Sequence, residues 1–336
     1  MMWLTWRQFR TQAITGGVIL LAALTALSVN ARTVARLWAD SGAAACAGKA
    51  SCPGLASFLA EVKVGAPSLL YLVGTALLYL VPPLIGVFWG APLVARELES
   101  GTHRLAWQQS VTRDRWLAVK LTVLGAASMA FAGVLSLIVT WSSHRMDGAV
   151  ATRLSPVLFG ARGVAPIGYA AFAFVLGVAA GILLRRTVPA MAVTLAGYAG
   201  AVGAMTLWVR GHLIPPLHRT MPLSADRQPT ELMIGPGGHI KVVIDPGIPG
   251  AWVLDNRTVT ASGQLFSGPA DQQHCGGQTS PKACVDWIRS LDLRQAVTYQ
   301  PAGRFWDLQW AETGVFLALA ALLVAFGVWW LRRRSA

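Results

Sequence analysis

Side chains able to act as acids, bases, nucleophiles or metal ligands are sparse in this sequence. Among 336 residues there are 15 Asp or Glu, six His and four Cys. Protein metal sites need ligands at short fixed spacings, such as C-x-x-C or paired histidines. Neither spacing occurs, and His274 beside Cys275 is the nearest approach. A phosphate-binding loop needs G-x-x-x-x-G-K-[ST], so that backbone amides surround the phosphates. The stretch GAAACAGKAS from Gly42 imitates it, but Gly42 lies one residue too far from Gly48, and Ala50 follows Lys49. There is no nucleophile elbow, zinc-protease motif or spaced carboxylate pair. The sequence assigns no catalytic residue and no metal ligand. The densest group of charges lies in VARELESGTHRLAWQQSVTRDRWLAVK, Val94 to Lys120, between two long apolar runs.

The elements that carry these residues follow from composition. Hydrophobic residues make up 54% of the chain and charged residues 13%, with mean hydropathy +0.51. Soluble domains carry about a quarter charged residues. The deficit comes from uncharged runs of roughly 20 residues, the length that crosses a bilayer core. The expected fold is an all-α polytopic membrane protein of about six spans. An N-terminal interfacial helix and a small extracytoplasmic α+β module between helices five and six complete it. The net charge of +13 raises nucleic acid as a partner. Basic residues clustered at cytoplasmic helix ends explain it better.

The spans are read at residues 12–29, 67–94, 116–141, 165–184, 188–209 and 311–331. The second should bend at Pro82-Pro83. The opening MMWLTWRQFR is read as an amphipathic interfacial helix (residues 1–11) and not as a cleavable signal peptide. Spans one to five then occupy residues 12–210, with a connector at 95–117. The outer module covers 211–309, and the last span with its basic tail 310–336.

Arg7, Arg10, the arginines of the connector, Arg185-Arg186 and Arg332 to Arg334 fall on one side of such a bundle. The charge rule makes that side cytoplasmic, with both termini inside. Cys46, Cys52, Cys275 and Cys284 then all lie outside, where disulfides persist. The spacings favour Cys46–Cys52 and Cys275–Cys284 among three possible pairings, with metal binding as the rival. In the module, HIKVVID and AWVLDNRTVTASGQLF alternate like strands, and CVDWIRSLDL reads as a short helix. Phe305, Trp306 and Trp310 suit an interfacial belt.

No charged residue or histidine falls at the middle of a span; Glu312 stands at the outer end of the sixth. Proton relays need titratable groups there, so an ion-driven carrier is disfavoured. Gly86/Gly90 and Gly177/Gly181 form G-x-x-x-G pairs, and Gly197, Gly200 and Gly203 line the fifth span. Such faces allow close helix approach within one subunit or between subunits.

Locally, the connector reads as a continuation of helix two through ARELES, then a break at Gly101. A short helix capped by Thr102 follows, and Thr112 caps the next one. With Glu97, Gly101, Thr102 and Lys120 in place, this stretch resembles the connector of ABC-2-type transporter permeases. It is especially similar to the actinobacterial, type V exporter-like form. YQPAGRFWDLQW, Tyr299 to Trp310, is similar to the segment before their last span. His103-Arg104 and Trp107-Gln108 depart from the aliphatic residues common there.

The resemblance implies the permease subunit of an ATP-driven exporter in a bacterial plasma membrane. It implies a second permease subunit (homodimer or heterodimer), surrounding lipid, and a separate ATPase that uses ATP and Mg. The connector would be the coupling helix, with Glu97, Glu99, Gly101, Thr102, His103, Arg104, Trp107, Arg113 and Arg115 at the ATPase interface. Helices two and five would wall the path, with Pro82, Pro83, Gly86, Gly197 and Gly200 as candidates. The competing expectations are a membrane sensor or scaffold with a ligand-binding outer module, and an intramembrane enzyme acting on lipid.

Overall fold

The computed structural model describes residues 2–46, 52–63, 65–99, 113–150, 153–222, 231–234, 240–243, 245–266, 268 and 281–334. Among the described residues, six helices are long and apolar enough to cross a membrane: Ile14–Asp40, Ala66–Glu97, Arg115–Val150, Ala165–Leu184, Thr187–His212 and Ala302–Arg333. The chain is a mostly helical polytopic membrane protein. It divides into two compact units, residues 1–213 with 306–336, and residues 214–305.

The first helix runs unbroken from Met2 to Asp40. It merges the expected interfacial segment with the first span and part of the loop beyond, because no proline or capping glycine interrupts it. The rest of that loop holds two short helices, Ala43–Cys46 and Pro53–Lys63. The Cys46–Cys52 disulfide staples them, and Trp38 packs edge-on against the buried Phe58.

The second span answers its prolines with a change of helix type. Ala66–Ile85 is α-helical, Gly86–Gly90 forms a π-turn, and Ala91–Glu99 resumes the α-helix. A proline lacks an N–H and crowds the carbonyl one turn back, so the ladder must be re-paired nearby. The third helix spans Arg113–Val150, nine residues beyond its expected end. The connection that follows contains a four-residue helix, Pro156–Phe159, whose Leu158 N–H is capped by the Ser155 hydroxyl at 3.3 Å.

The fourth span, Ala165–Leu184, is the hub of its unit: 15 of its 20 residues are buried. It is apolar all round and rich in alanine and glycine, as a helix enclosed by others must be. It ends in the turn Arg185-Arg186, where Arg185 takes the left-handed conformation at φ 53°. The fifth span runs Thr187–Ala204, then a π-turn Met205–Val209 and one 3-10 turn Arg210–His212. The sixth is the continuous helix Phe305–Arg334.

In the unit 214–305, β1 (Leu217–Pro222), β5 (Arg294–Gln300) and β4 (Trp252–Val259) form an antiparallel sheet in the order β1-β5-β4. Two further strands, β2 (Glu231–Ile234) and β3 (Ile240–Val243), pair as a hairpin, and Pro281–Ser290 is helical. The strands β1 and β5 had no clear apolar alternation to announce them. Residues 217–220 of β1 are exposed, while β5 buries Gln295, Val297 and Gln300. Gln300 Nε2 donates to the Ile214 carbonyl at 2.6 Å, and Arg304 Nη1 donates to that of Pro215 at 2.6 Å. These two bonds close the unit at its ends. Cys284 is disulfide-bonded; Cys275 lies outside the described residues.

Candidate functional site

Three polar or close-packed places in the spanning unit carry the chemistry. The first is the end of the bundle that bears the connector. Helix two ends there at Glu99, and the third helix resumes at Arg113. The Lys120 ammonium meets Glu97 Oε1 at 2.6 Å and lies over the Trp116 ring at 4.3 Å. Lys120 is 5% exposed, so it is a strut within the bundle and not a surface charge. Two residues on, Glu99 Oε2 accepts from the Thr187 hydroxyl at 2.8 Å and from its backbone amide at 3.2 Å. These bonds stabilise the carboxylate and hold Glu99 below the usual carboxylate range, with Arg186 adding to the effect. The last turn of helix two is thus tied to the third span on one side and to the start of the fifth on the other.

The second place is the crossing of spans two and four. At its glycines the two backbones lie too near for a side chain. A Cβ on Gly86 would sit 2.5 Å from the Ala173 carbonyl oxygen, and one on Gly181 would sit 2.8 Å from that of Ala91. Gly90 meets the Phe174 carbonyl, and Gly177 meets that of Gly86, just as closely. The two G-x-x-x-G pairs therefore face one another inside a single chain.

The third place is the opposite end. Arg162, 1% exposed, forms a forked pair with Asp147 (Nε–Oδ2 2.8 Å, Nη2–Oδ1 3.2 Å), and Tyr71 donates to Asp147 at 2.6 Å. Arg210 and Glu312 are both fully buried. The Arg210 Nε donates to Glu312 Oε2 at 2.6 Å, and Nη2 donates to Oε1 at 2.9 Å. Tyr169 donates to Glu312 Oε1. Arg210 also donates to the Pro156 carbonyl at 2.9 Å, the Tyr169 hydroxyl at 3.1 Å and the Thr206 hydroxyl at 3.2 Å. Charges this deep are tolerated only when paired and fully hydrogen-bonded.

This plan of six spans, with polar ties at both ends and a glycine crossing between them, can be set against known families. The sequence model of the family described as ABC-2 membrane transporter related matches residues 17–210, more than half of the chain. The chain belongs to the ABC-2 membrane transporter related family. Neither the curated proteins nor the solved structures contain a significant match to it. The family match takes in the first five spans and the connector, and stops at Arg210, where the 214–305 unit is about to begin.

Within this ABC-2-related chain, the expected coupling residues divide. Glu97 and Glu99 are the two ties just described. Arg115 is exposed in the first turn of the third helix. Arg113 opens that helix, but its side chain lies outside the described residues, as do Gly101, Thr102, His103, Arg104 and Trp107 entirely. Of the expected path residues, Pro82, Pro83 and Gly86 are buried, with Gly86 against the fourth span. Gly197 and Gly200 are on the exposed side of the fifth span. A Cβ on Gly197 would approach Leu176 at 3.2 Å, whereas one on Gly200 would meet nothing within 4 Å.

Sequence reasoning missed Asp147, Arg162 and Arg210, which lay in segments read as outer loops or at a span's edge. Their signal was present: single charges embedded in apolar, glycine-containing surroundings, as in GARGVAP, need a buried partner. Glu312 was noticed, but its partner was not.

Proposed function

We propose that this chain is the membrane-spanning permease subunit of an ATP-driven ABC exporter. The observation that carries this reading is the family match over residues 17–210. It is supported by the way the second helix ends. A connector can move a bundle only if its stem is rigid and joined to neighbours. Here the stem is held by Lys120 on one side and Thr187 on the other. ATP and Mg act in a separate ATPase subunit, on which residues 95–117 dock. Closure of that ATPase biases one of two packings of the spans. A second permease subunit, identical or different, completes the path, with spans two and five as its walls. The connector end and both termini face the cytoplasm of a bacterial plasma membrane, and the 214–305 unit faces outward.

The test is co-purification with the ATPase and measurement of ATP turnover in proteoliposomes. Arg104→Ala is expected to lower permease-dependent turnover at least tenfold while the subunits still assemble, the loss of one charge-assisted contact being worth about 1.5–3 kcal/mol, and Gly101→Val to lower it by misplacing the connector. Turnover that ignores both substitutions rules out the coupling role. A compact unit separate from the spans, residues 214–305, favours a second reading, a sensor or scaffold. That reading gains if no ATPase co-purifies and a ligand of the outer unit alters the chain's partners.

A further inference from the structure

The connection between the third and fourth spans is held from outside itself. Its own regular structure is one helical turn, Pro156–Phe159. Side chains of four different spans bind four of its backbone carbonyls. Tyr79 of the second span donates to the Val157 carbonyl at 2.7 Å. Ser136 of the third donates to the Gly163 carbonyl at 2.7 Å. Arg210 of the fifth donates to the Pro156 carbonyl at 2.9 Å. Gln309 of the sixth donates to the Phe159 carbonyl at 2.9 Å, and its own oxygen accepts from Val164 and Ala165 amides at 3.0 and 2.8 Å.

Its own backbone bonds are short-range (Phe159 N–H to the Ser155 carbonyl at 3.0 Å, Ala161 to Leu158 at 3.1 Å, Arg162 to Phe159 at 3.3 Å), so its place in the bundle is set by side-chain ties, the buried Arg162–Asp147 pair among them. It keeps that place only while four spans hold their present spacing, since unpaired backbone groups are costly in an apolar surround. The segment has a backbone device for turning at its far end, Gly163 at φ 62°. Among its anchors, Arg210 is distinctive. It lies four residues before the inserted unit begins at residue 214, and its partner Glu312 lies seven residues after that unit ends at 305. One guanidinium therefore joins the two chain crossings that carry the insertion to the Pro156 carbonyl. On the same span, and in the same apolar cluster as Tyr169, the buried Tyr198 hydroxyl has no partner among the described residues.

We propose that residues 153–164 form a hatch over the end of the bundle opposite the connector, and that Arg210 is its latch. Movement of the fifth or sixth span breaks the Arg210 and Gln309 bonds together and lets the segment swing away from the fourth span. The role of such a hatch in a transport cycle rests on the permease reading. Its opening does not.

The experiment uses the full chain in lipid nanodiscs with a membrane-impermeant maleimide. Among the described residues no cysteine is free, so A161C gives a reporter at a fully buried residue of the segment, read against the unsubstituted chain. A180C, on the connector half of the fourth span and 3% exposed, is the control. Arg210→Gln is expected to speed labelling of the A161C reporter at least tenfold and to leave the A180C control unchanged. An unchanged rate at 161, or equal acceleration at both positions, overturns the hatch. Should Arg210→Gln fail to fold, Tyr79→Phe keeps the ring and removes only the bond to Val157. About threefold faster labelling at 161 is then expected, and no change overturns the proposal. With the ATPase added, a rate that responds to the latch but ignores ATP counts against coupled transport and leaves the hatch standing.

Discussion

Arg210 shows what a buried charge demands. Its guanidinium is bonded to a carboxylate, a carbonyl and a hydroxyl, all inside the spanning unit. Removing one member of such a pair strands the other in a low dielectric, at about 3–5 kcal/mol; removing both with apolar residues of similar volume is near neutral. Arg210→Met is therefore expected to lower thermal stability sharply in detergent, and the double variant Arg210→Met with Glu312→Leu to recover most of the loss. A melting temperature for the double variant no better than for the single would remove the ion pair from the account. Glu99 makes a gentler prediction. Its carboxyl is held low by Thr187. A depressed folded value contributes stability above the ordinary carboxylate range, and that contribution is lost as pH falls through the depressed value. Thr187→Val removes the hydroxyl and leaves the backbone amide and Arg186 in place, so it should raise Glu99 part of the way toward the ordinary range in an NMR titration, with the carboxylate still ionised near neutral pH.

Among the elements, the crossing of spans two and four governs the rest. The fourth span is enclosed, and the second approaches it at Gly86, Gly90, Gly177 and Gly181 with no room for a side chain. The π-turn at Gly86–Gly90 lies at the same place. Prolines disturb the helix ladder just before the point of closest approach, so the distortion and the contact share one surface. Gly177→Val is expected to cost about 3 kcal/mol, the upper end for overpacking a tight site, because the obstacle is backbone and cannot rotate away. Gly200→Ala, facing open space, should change unfolding by less than about 0.5 kcal/mol. Equal effects at the two positions in a denaturation series would mean that the crossing is not close-packed.

At the scale of the whole molecule, the bundle has two different ends. One is fixed at Lys120–Glu97 and Glu99–Thr187, the other at Arg162–Asp147 and Arg210–Glu312. With the connector end inside the cell, Val157→Cys, at a 65% exposed residue, should label from outside intact cells. Arg185→Cys, at an exposed turn, should label only after permeabilisation. The reverse pattern would invert the proposed topology.

Much of this was legible in the amino-acid sequence, because length and hydropathy are local properties. The fourth span runs from Ala165 to Leu184 as read from its apolar residues and stops where the charged Arg185 begins, and the Cys46–Cys52 pairing follows from six residues of separation. What is long-range was not legible. Arg210 and Glu312 are 102 residues apart, and Tyr79 and Val157 are 78 apart; no period or spacing relates them. The sequence by itself determined how many helices cross and which turn residues join them, since water and lipid sort residues one segment at a time. Only the tertiary structure decided which glycine faces which carbonyl and which arginine neutralises which carboxylate. Those choices depend on how already formed helices pack, and each buried charge could settle only where a partner from another helix stood within hydrogen-bond reach.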